Sequence, residues 1–150
     1  MEAYAWSGWP DFFPVTFHRI PMEEMAEVLS CDEFRILSSP VQHYIPTMGL
    51  RFEFGQPKKV IAYSCDTEPT DSVVRLAGGA DVLIHEASGA FHGHSSATQA
   101  AGIARQAEVG ELYLIHYPSE KMPQELIDEA SQSFDGPVKV AQDFMEIAVE

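Results

Sequence analysis

The pattern of apolar and polar positions divides this chain at Gly55. Before it, short runs with apolar residues at every second position follow one another, so residues 13–20, 34–38 and 49–54 read as strands. Pro14 places the first of these at a sheet edge or at a strand's first residues. Residues 21–29 read as a short helix or an irregular connection, because Met22, Met25, Ala26 and Leu29 share a face at helical spacing.

After Gly55-Gln56-Pro57, strand and helix alternate. Residues 60–63 form an apolar run, 69–77 a helix stopped by Gly78-Gly79, 81–85 a strand, 95–108 a helix, 112–116 a strand and 123–133 a helix. Residues 138–140 and 144–149 read as closing strands. Continuous apolar strands separated by helices imply an α/β layer architecture, a sheet covered on at least one face by helices. No repeat, low-complexity tract or linker divides the chain, so residues 1–150 read as one domain. The helix from Ser95 carries a small-residue stripe of Ala97, Ala100, Ala101 and Ala104 that lets it lie close to a sheet. Ser95 or Ser96 can cap it, which holds His94 at its start.

Composition narrows the class. With 150 residues, 45% of them hydrophobic, the chain can bury a real core. No apolar run is long enough to span a bilayer, and the N-terminus lacks a basic segment and a hydrophobic signal core, so a soluble, cytoplasmic protein is expected. Residues 1–11 hold Tyr4, Trp6 and Trp9 and read as a docking segment rather than a free tail. Cys31 and Cys65 are too few and too unpatterned for a disulfide framework or a thiolate zinc site. A net charge of -14 argues against loose binding to a polyphosphate backbone, which relies on clustered Lys and Arg.

Candidate chemistry lies just past the apolar runs. Asp66, His85-Glu86 and His116 each follow a strand, and His43 follows the strand at 34–38 in the same sense. In a mainly parallel sheet such positions share one edge, where ligands bind. A carboxylate and several imidazoles there would suit an ion such as zinc. Each residue also has a plainer reading: Asp66 as a turn or helix cap before Thr67-Glu68-Pro69, and His92, His94 and His18 as polar loop or edge residues.

Five ordered segments carry a resemblance: Pro40-Val41-Gln42-His43-Tyr44-Ile45-Pro46-Thr47-Met48-Gly49-Leu50-Arg51, Tyr63-Ser64-Cys65-Asp66-Thr67, Ala80-Asp81-Val82-Leu83-Ile84-His85-Glu86-Ala87-Ser88, His94-Ser95-Ser96-Ala97 and Leu114-Ile115-His116-Tyr117. In order and spacing they resemble the later motifs of the metallo-β-lactamase fold, ribonuclease Z branch, from about residue 34 to the end. The resemblance implies half of a four-layer αββα sandwich and a metal-dependent hydrolase of a phosphodiester or related ester. It implies two zinc ions, or manganese in their place, with His43 on one ion, Asp66 bridging both and His116 on the second. It further implies that His94 acts on the scissile phosphate or the leaving oxygen and that Glu86 orients it.

This sequence also departs from the family pattern. The family carries a His-x-His-x-Asp-His cluster upstream, and nothing before His43 resembles it; His92-Gly93-His94 has the spacing but is followed by Ser95-Ser96. The chain is therefore expected to start in mid-domain, with an incomplete two-metal site, weak metal binding and doubtful activity on its own. Cys65 stands where the family commonly has glycine, and Ser96 where it has threonine. Transfer-RNA processing is less favoured, because the charge is acidic and no basic, glycine-rich arm is present. The competing reading is a non-catalytic, partner-binding module, or a half-domain that self-associates or is completed by an N-terminal half.

Overall fold

A computed structural model describes residues 16–149. Four strands come first: β1 (Ala26–Ser30), β2 (Phe34–Val41), β3 (Thr47–Phe54) and β4 (Lys59–Tyr63). Helices then alternate with strands: α1 (Asp71–Ala77), β5 (Val82–Glu86), α2 (Ala97–Gln106), β6 (Glu111–Ile115), α3 (Pro123–Ala130) and β7 (Val138–Val140). The seven strands form one sheet whose spatial order is the order of the sequence. β1 to β4 pair antiparallel, and β4 to β7 pair parallel. The change in pairing falls where the sequence changes texture, because each parallel step needs a helical crossover and each antiparallel step a short turn.

The helices pack on one face of the sheet, α1 over β2, β3 and β4, α2 over β5 and β6, and α3 over β7, with α2 touching both of its neighbours. The core lies between these layers. Leu83, Leu112 and Leu114 from the strands meet Val73 and Ala77 of α1, Ala100, Ala101 and Ala104 of α2, and Leu126 of α3. The alanines of α2 are buried, as the small-residue stripe requires. Its start is fixed by a capping box: Ser96 Oγ accepts from the Gln99 amide at 3.2 Å, and the Gln99 side chain accepts from the Ser96 amide at 2.9 Å. Ser95 and Ser96 thus stand outside the helix.

Close approach of α1 depends on Gly49. A Cβ there would lie 2.6 Å from Leu76 Cδ2 and 3.1 Å from the Tyr63 carbonyl oxygen. Beside it, Arg51 is buried and closes the end of α1, donating from Nη1 to the carbonyls of Leu76 (2.9 Å) and Gly78 (3.0 Å) and from Nε to Glu53 (2.8 Å). Removing the guanidinium strands two carbonyls and leaves Glu53 with Lys58 alone, at 3.4 Å. Arg51→Met is expected to lower unfolding free energy by about 3 kcal/mol, measured by urea denaturation.

Two expected strands fail locally, and the helix-or-connection reading resolves against a helix. Residues 16–20 form no strand, and residues 13–15 lie outside the described part of the chain, as do the aromatics of residues 1–11. Of the two readings of residues 21–29, the irregular connection holds for residues 21–25, and residues 26–29 enter β1, whose hairpin with β2 satisfies the outer backbone groups of that strand. That pairing overrides the helical spacing of Met22, Met25, Ala26 and Leu29. Residues 144–149 form no strand either, because a turn from Gln142 to Met145 (3.1 Å) and a positive φ of 65° at Phe144 break the extension of β7.

The expected α/β architecture is borne out as one sheet with one helical layer. The opposite sheet face presents Ile36, Leu50, Phe52, Ile61 and Ile84, all partly exposed, and none of the three helices covers it. Among the described residues, no helix is long and apolar enough to cross a membrane.

Candidate functional site

The sheet topology gathers the chemistry at one edge. Reversals between β2 and β3 and between β3 and β4 restore direction, so β2 runs the same way as β4, β5, β6 and β7. His43 follows β2, Asp66 follows β4, Glu86 ends β5, and His116 comes directly after β6, so all four reach the same carboxyl-end edge. His94 arrives there from the loop before α2.

Glu86 is the anchor of the loop. Fully buried, it accepts from the Thr67 and Ser95 amides through Oε1 (both 3.1 Å) and from the Ser88 amide and hydroxyl through Oε2 (2.9 and 2.8 Å). His94 Nδ1 lies 2.9 Å from Glu86 Oε1 and 2.9 Å from Ser88 Oγ. A carboxylate can only accept, so His94 Nδ1 carries the proton there and Nε2 is left to exchange a proton or bind a ligand. The imidazole is well shielded, its side chain 10% exposed.

Asp66 lies between two histidines. Its Oδ1 is 2.9 Å from His116 Nδ1, and its Oδ2 is 4.0 Å from His43 Nε2. His43 in turn places Nδ1 2.7 Å from the Gly93 carbonyl, which fixes that nitrogen as the donor and leaves Nε2 facing Asp66. Gly93 makes this possible: its φ is +79°, and a Cβ would lie 3.1 Å from His43 Nδ1. His116 is half-exposed and holds a left-handed φ of 46°, a strained conformation of the sort found at functional positions.

The donor set fits a zinc-like ion. His43, Asp66 and His94 offer ligand atoms that all lie within 4.8 Å of one another, and so do Glu86, His94 and His116. Nitrogen and carboxylate oxygen are usual zinc ligands, and the His43–carbonyl bond is the kind of outer contact that orients a metal-binding imidazole. The two sets share His94, and His43 and His116 fall in different sets. The His116–Asp66 hydrogen bond uses two atoms that an ion would need, so that bond and a shared ion are alternatives.

Neighbouring residues take other parts. His85 turns into the core, fully buried, and donates from Nδ1 to the Glu86 carbonyl at 2.8 Å. Its Nε2 is, among the described residues, the one buried side-chain nitrogen or oxygen without a partner. Burial depresses its pKa, against the smaller opposing pull of that carbonyl and the Glu86 charge. A depressed histidine is neutral when folded, whereas the unfolded chain takes up a proton below about pH 6.5. Stability is therefore lost as pH falls below that value, by up to about 1.4 kcal/mol per pH unit. His85→Phe is expected to remove this increment, seen as a flatter acid limb in urea unfolding.

Cys65 has a φ of +54°, a region in which glycine is easiest, which supplies a physical reason for the glycine that the resemblance leads one to expect there. Burial pushes its thiol pKa up, which disfavours the reactive thiolate. His92 is exposed and pairs with Glu68 at 2.8 Å, and His18 is exposed. The sequence reading missed Ser88 and Glu68. Glu68 Oε1 accepts from the Gly93 amide at 2.8 Å and so holds the loop that carries His94. Neither residue stands in a pattern that singles it out.

Residues 5–117 match the family model described as the beta-lactamase superfamily domain. The chain belongs to the beta-lactamase superfamily. Within that family it is similar to ribonuclease Z of Haloarcula marismortui, 39% identical over an alignment 105 residues long that covers 63% of this chain and 34% of the relative. The ribonuclease Z of Brevibacillus brevis is 39% identical over an alignment 110 residues long that again covers 63% of this chain and 34% of the relative. Among solved structures, the metallo-beta-lactamase fold protein YhfI of Bacillus subtilis superposes with a TM-score of 0.71 at 26% identity, covering 80% of this chain and 51% of that one. The short form of human tRNase Z gives a TM-score of 0.66 at 25% identity, covering 85% and 48%. The chain thus has the metallo-β-lactamase fold and is ribonuclease Z-like. It spans about a third of the length of these curated relatives and about half that of the two structures.

Proposed function

We propose that this chain supplies one side of a metal-dependent hydrolytic site for phosphodiesters, with His43, Asp66 and His116 as ligands and His94, held by Glu86, acting on the substrate. The observation that carries the reading is the placement of Asp66, one oxygen toward each of two histidines, next to an imidazole fixed by a buried carboxylate. Zinc, or manganese in its place, would supply Lewis acidity toward phosphoryl oxygens and acidify a water. The chain's own residues do the rest. Glu86 keeps the His94 ring in one orientation with a proton on Nδ1, so Nε2 can donate to a phosphoryl oxygen or to the leaving oxygen only from the doubly protonated ring, which returns to the neutral Nδ1–H form once that proton is given up. Two clefts flank the site, one of about 650 Å³ beside His116 and Tyr117 and one of about 410 Å³ beside Phe91 and His94, which suits a substrate with an arm on each side of its phosphorus.

The relatives named ribonuclease Z make RNA a substrate to consider, but the net charge of -14 favours a small diester over a folded polyanion. A second reading rests on the sheet face that none of the described helices covers: the partly exposed Ile36, Leu50, Phe52, Ile61 and Ile84 suit a second layer, contributed by an N-terminal half or by another copy. In that reading the chain reaches full metal affinity and activity once completed; kept without catalysis, the same face makes it a partner-binding module in the cytoplasm. Hydrolysis of bis(p-nitrophenyl) phosphate with and without added zinc tests the main reading. Turnover that requires zinc supports it, and a zinc-loaded, folded protein inert on aryl and nucleotide diesters would favour the module.

A further inference from the structure

Two aromatic rings stand bare beside His94. Tyr44 is 58% exposed and Phe91 52%, and their ring centroids lie 5.8 and 4.8 Å from that of His94. Neither ring is loosely placed. Phe91 packs over Gly89, where a Cβ would come within 2.7 Å of its ring, and Tyr44 lies over Gly93, where a Cβ would come within 3.0 Å. Tyr44 also makes edge contacts with His43 and His92 at 5.0 and 5.1 Å. Each ring is thus braced on its inner side, with its outer side toward solvent at the cleft or its rim. Exposed rings fixed in this way lose little further freedom when a flat ligand stacks on them.

The cleft of about 410 Å³ that Phe91 and His94 line also holds Glu68, His92 and Gln99 and no lysine or arginine. A further phosphate would meet the Glu68 carboxylate, which already engages His92 at 2.8 Å, and no lysine or arginine, whereas a neutral heteroaromatic ring finds a stacking surface, an acceptor in the second Glu68 oxygen and a donor in the Gln99 amide. We propose that Tyr44 and Phe91 form a stacking platform for the nucleobase of a mononucleotide-sized substrate whose phosphodiester lies at His94. The inference rests on the diesterase reading for the position of the phosphate, but base binding can be measured without turnover.

Adenosine 5′-monophosphate and ribose 5-phosphate are titrated into the protein by calorimetry. The nucleotide is expected to bind at least tenfold more tightly, and Tyr44→Ala and Phe91→Ala are each expected to cut that preference by about tenfold, the worth of one stacked base. Tyr44→Phe and Phe91→Trp should keep it. Equal affinity for the two ligands, or a preference that survives both alanine variants, overturns the platform. An oligonucleotide that binds far more tightly than the mononucleotide overturns the assignment to a small substrate. A preserved base preference in a protein that hydrolyses no diester sinks the diesterase reading alone.

Discussion

Asp66→Ala is expected to lose bound zinc and diester hydrolysis together. Both oxygens of Asp66 are committed to the site, Oδ1 at 2.9 Å from His116 and Oδ2 at 4.0 Å from His43. Its removal takes away a negative charge and a donor on each side, and leaves His116 without its hydrogen-bond partner and His43 hydrogen-bonded through the Gly93 carbonyl alone. Loss of even an outer contact to a metal ligand typically weakens affinity by about 10- to 100-fold, so loss of Asp66 in its proposed role as a ligand should exceed that. Zinc content after dialysis, measured beside turnover, checks it. Asp66→Asn keeps the shape but not the charge and should lie between the two. An alanine variant that retains its zinc would remove Asp66 from the ligand set.

His94→Ala separates catalysis from metal binding. The shared membership of His94 in both donor sets admits it as a ligand, while its bond to the buried Glu86 fits it for proton transfer. The proposal favours the second role, so zinc content should stay unchanged while turnover falls by about a hundredfold or more, the usual worth of a general acid. The deficit should shrink on an ester whose leaving group needs no proton, such as p-nitrophenolate. Loss of zinc in His94→Ala would make it a ligand instead. Glu86→Gln, which preserves size but weakens the hold on Nδ1, should lower turnover less than His94→Ala does.

How far the sequence could be read follows from where each residue gets its neighbours. β4 to β7 and their helices were legible because continuous apolar runs and cap residues such as Ser96 act locally. His43, Asp66, Glu86 and His116 could be placed on one edge because each falls just past or at a strand end and the direction of β2 matches that of β4. β1 was not legible, since Ala26–Ser30 becomes a strand through pairing with β2 rather than through its own pattern. His85 shows the limit at the site: it adjoins Glu86 in sequence, yet strand alternation turns it into the core. The supports offered by Ser88, Glu68 and the Gly93 carbonyl depend on loop geometry, which no local periodicity encodes.

The central claim is that His43 and His116, on either side of Asp66, each hold metal at the carboxyl edge of the sheet. Zinc titrated into ¹⁵N-histidine-labelled protein, with the ring nitrogens followed by NMR, tests it most directly. The account predicts that His43 Nε2 and His116 Nδ1 shift with added zinc, that His85 and His18 do not, and that Asp66→Ala abolishes the response. Zinc that perturbs His18 or His92 while His43 and His116 stay unmoved would contradict it.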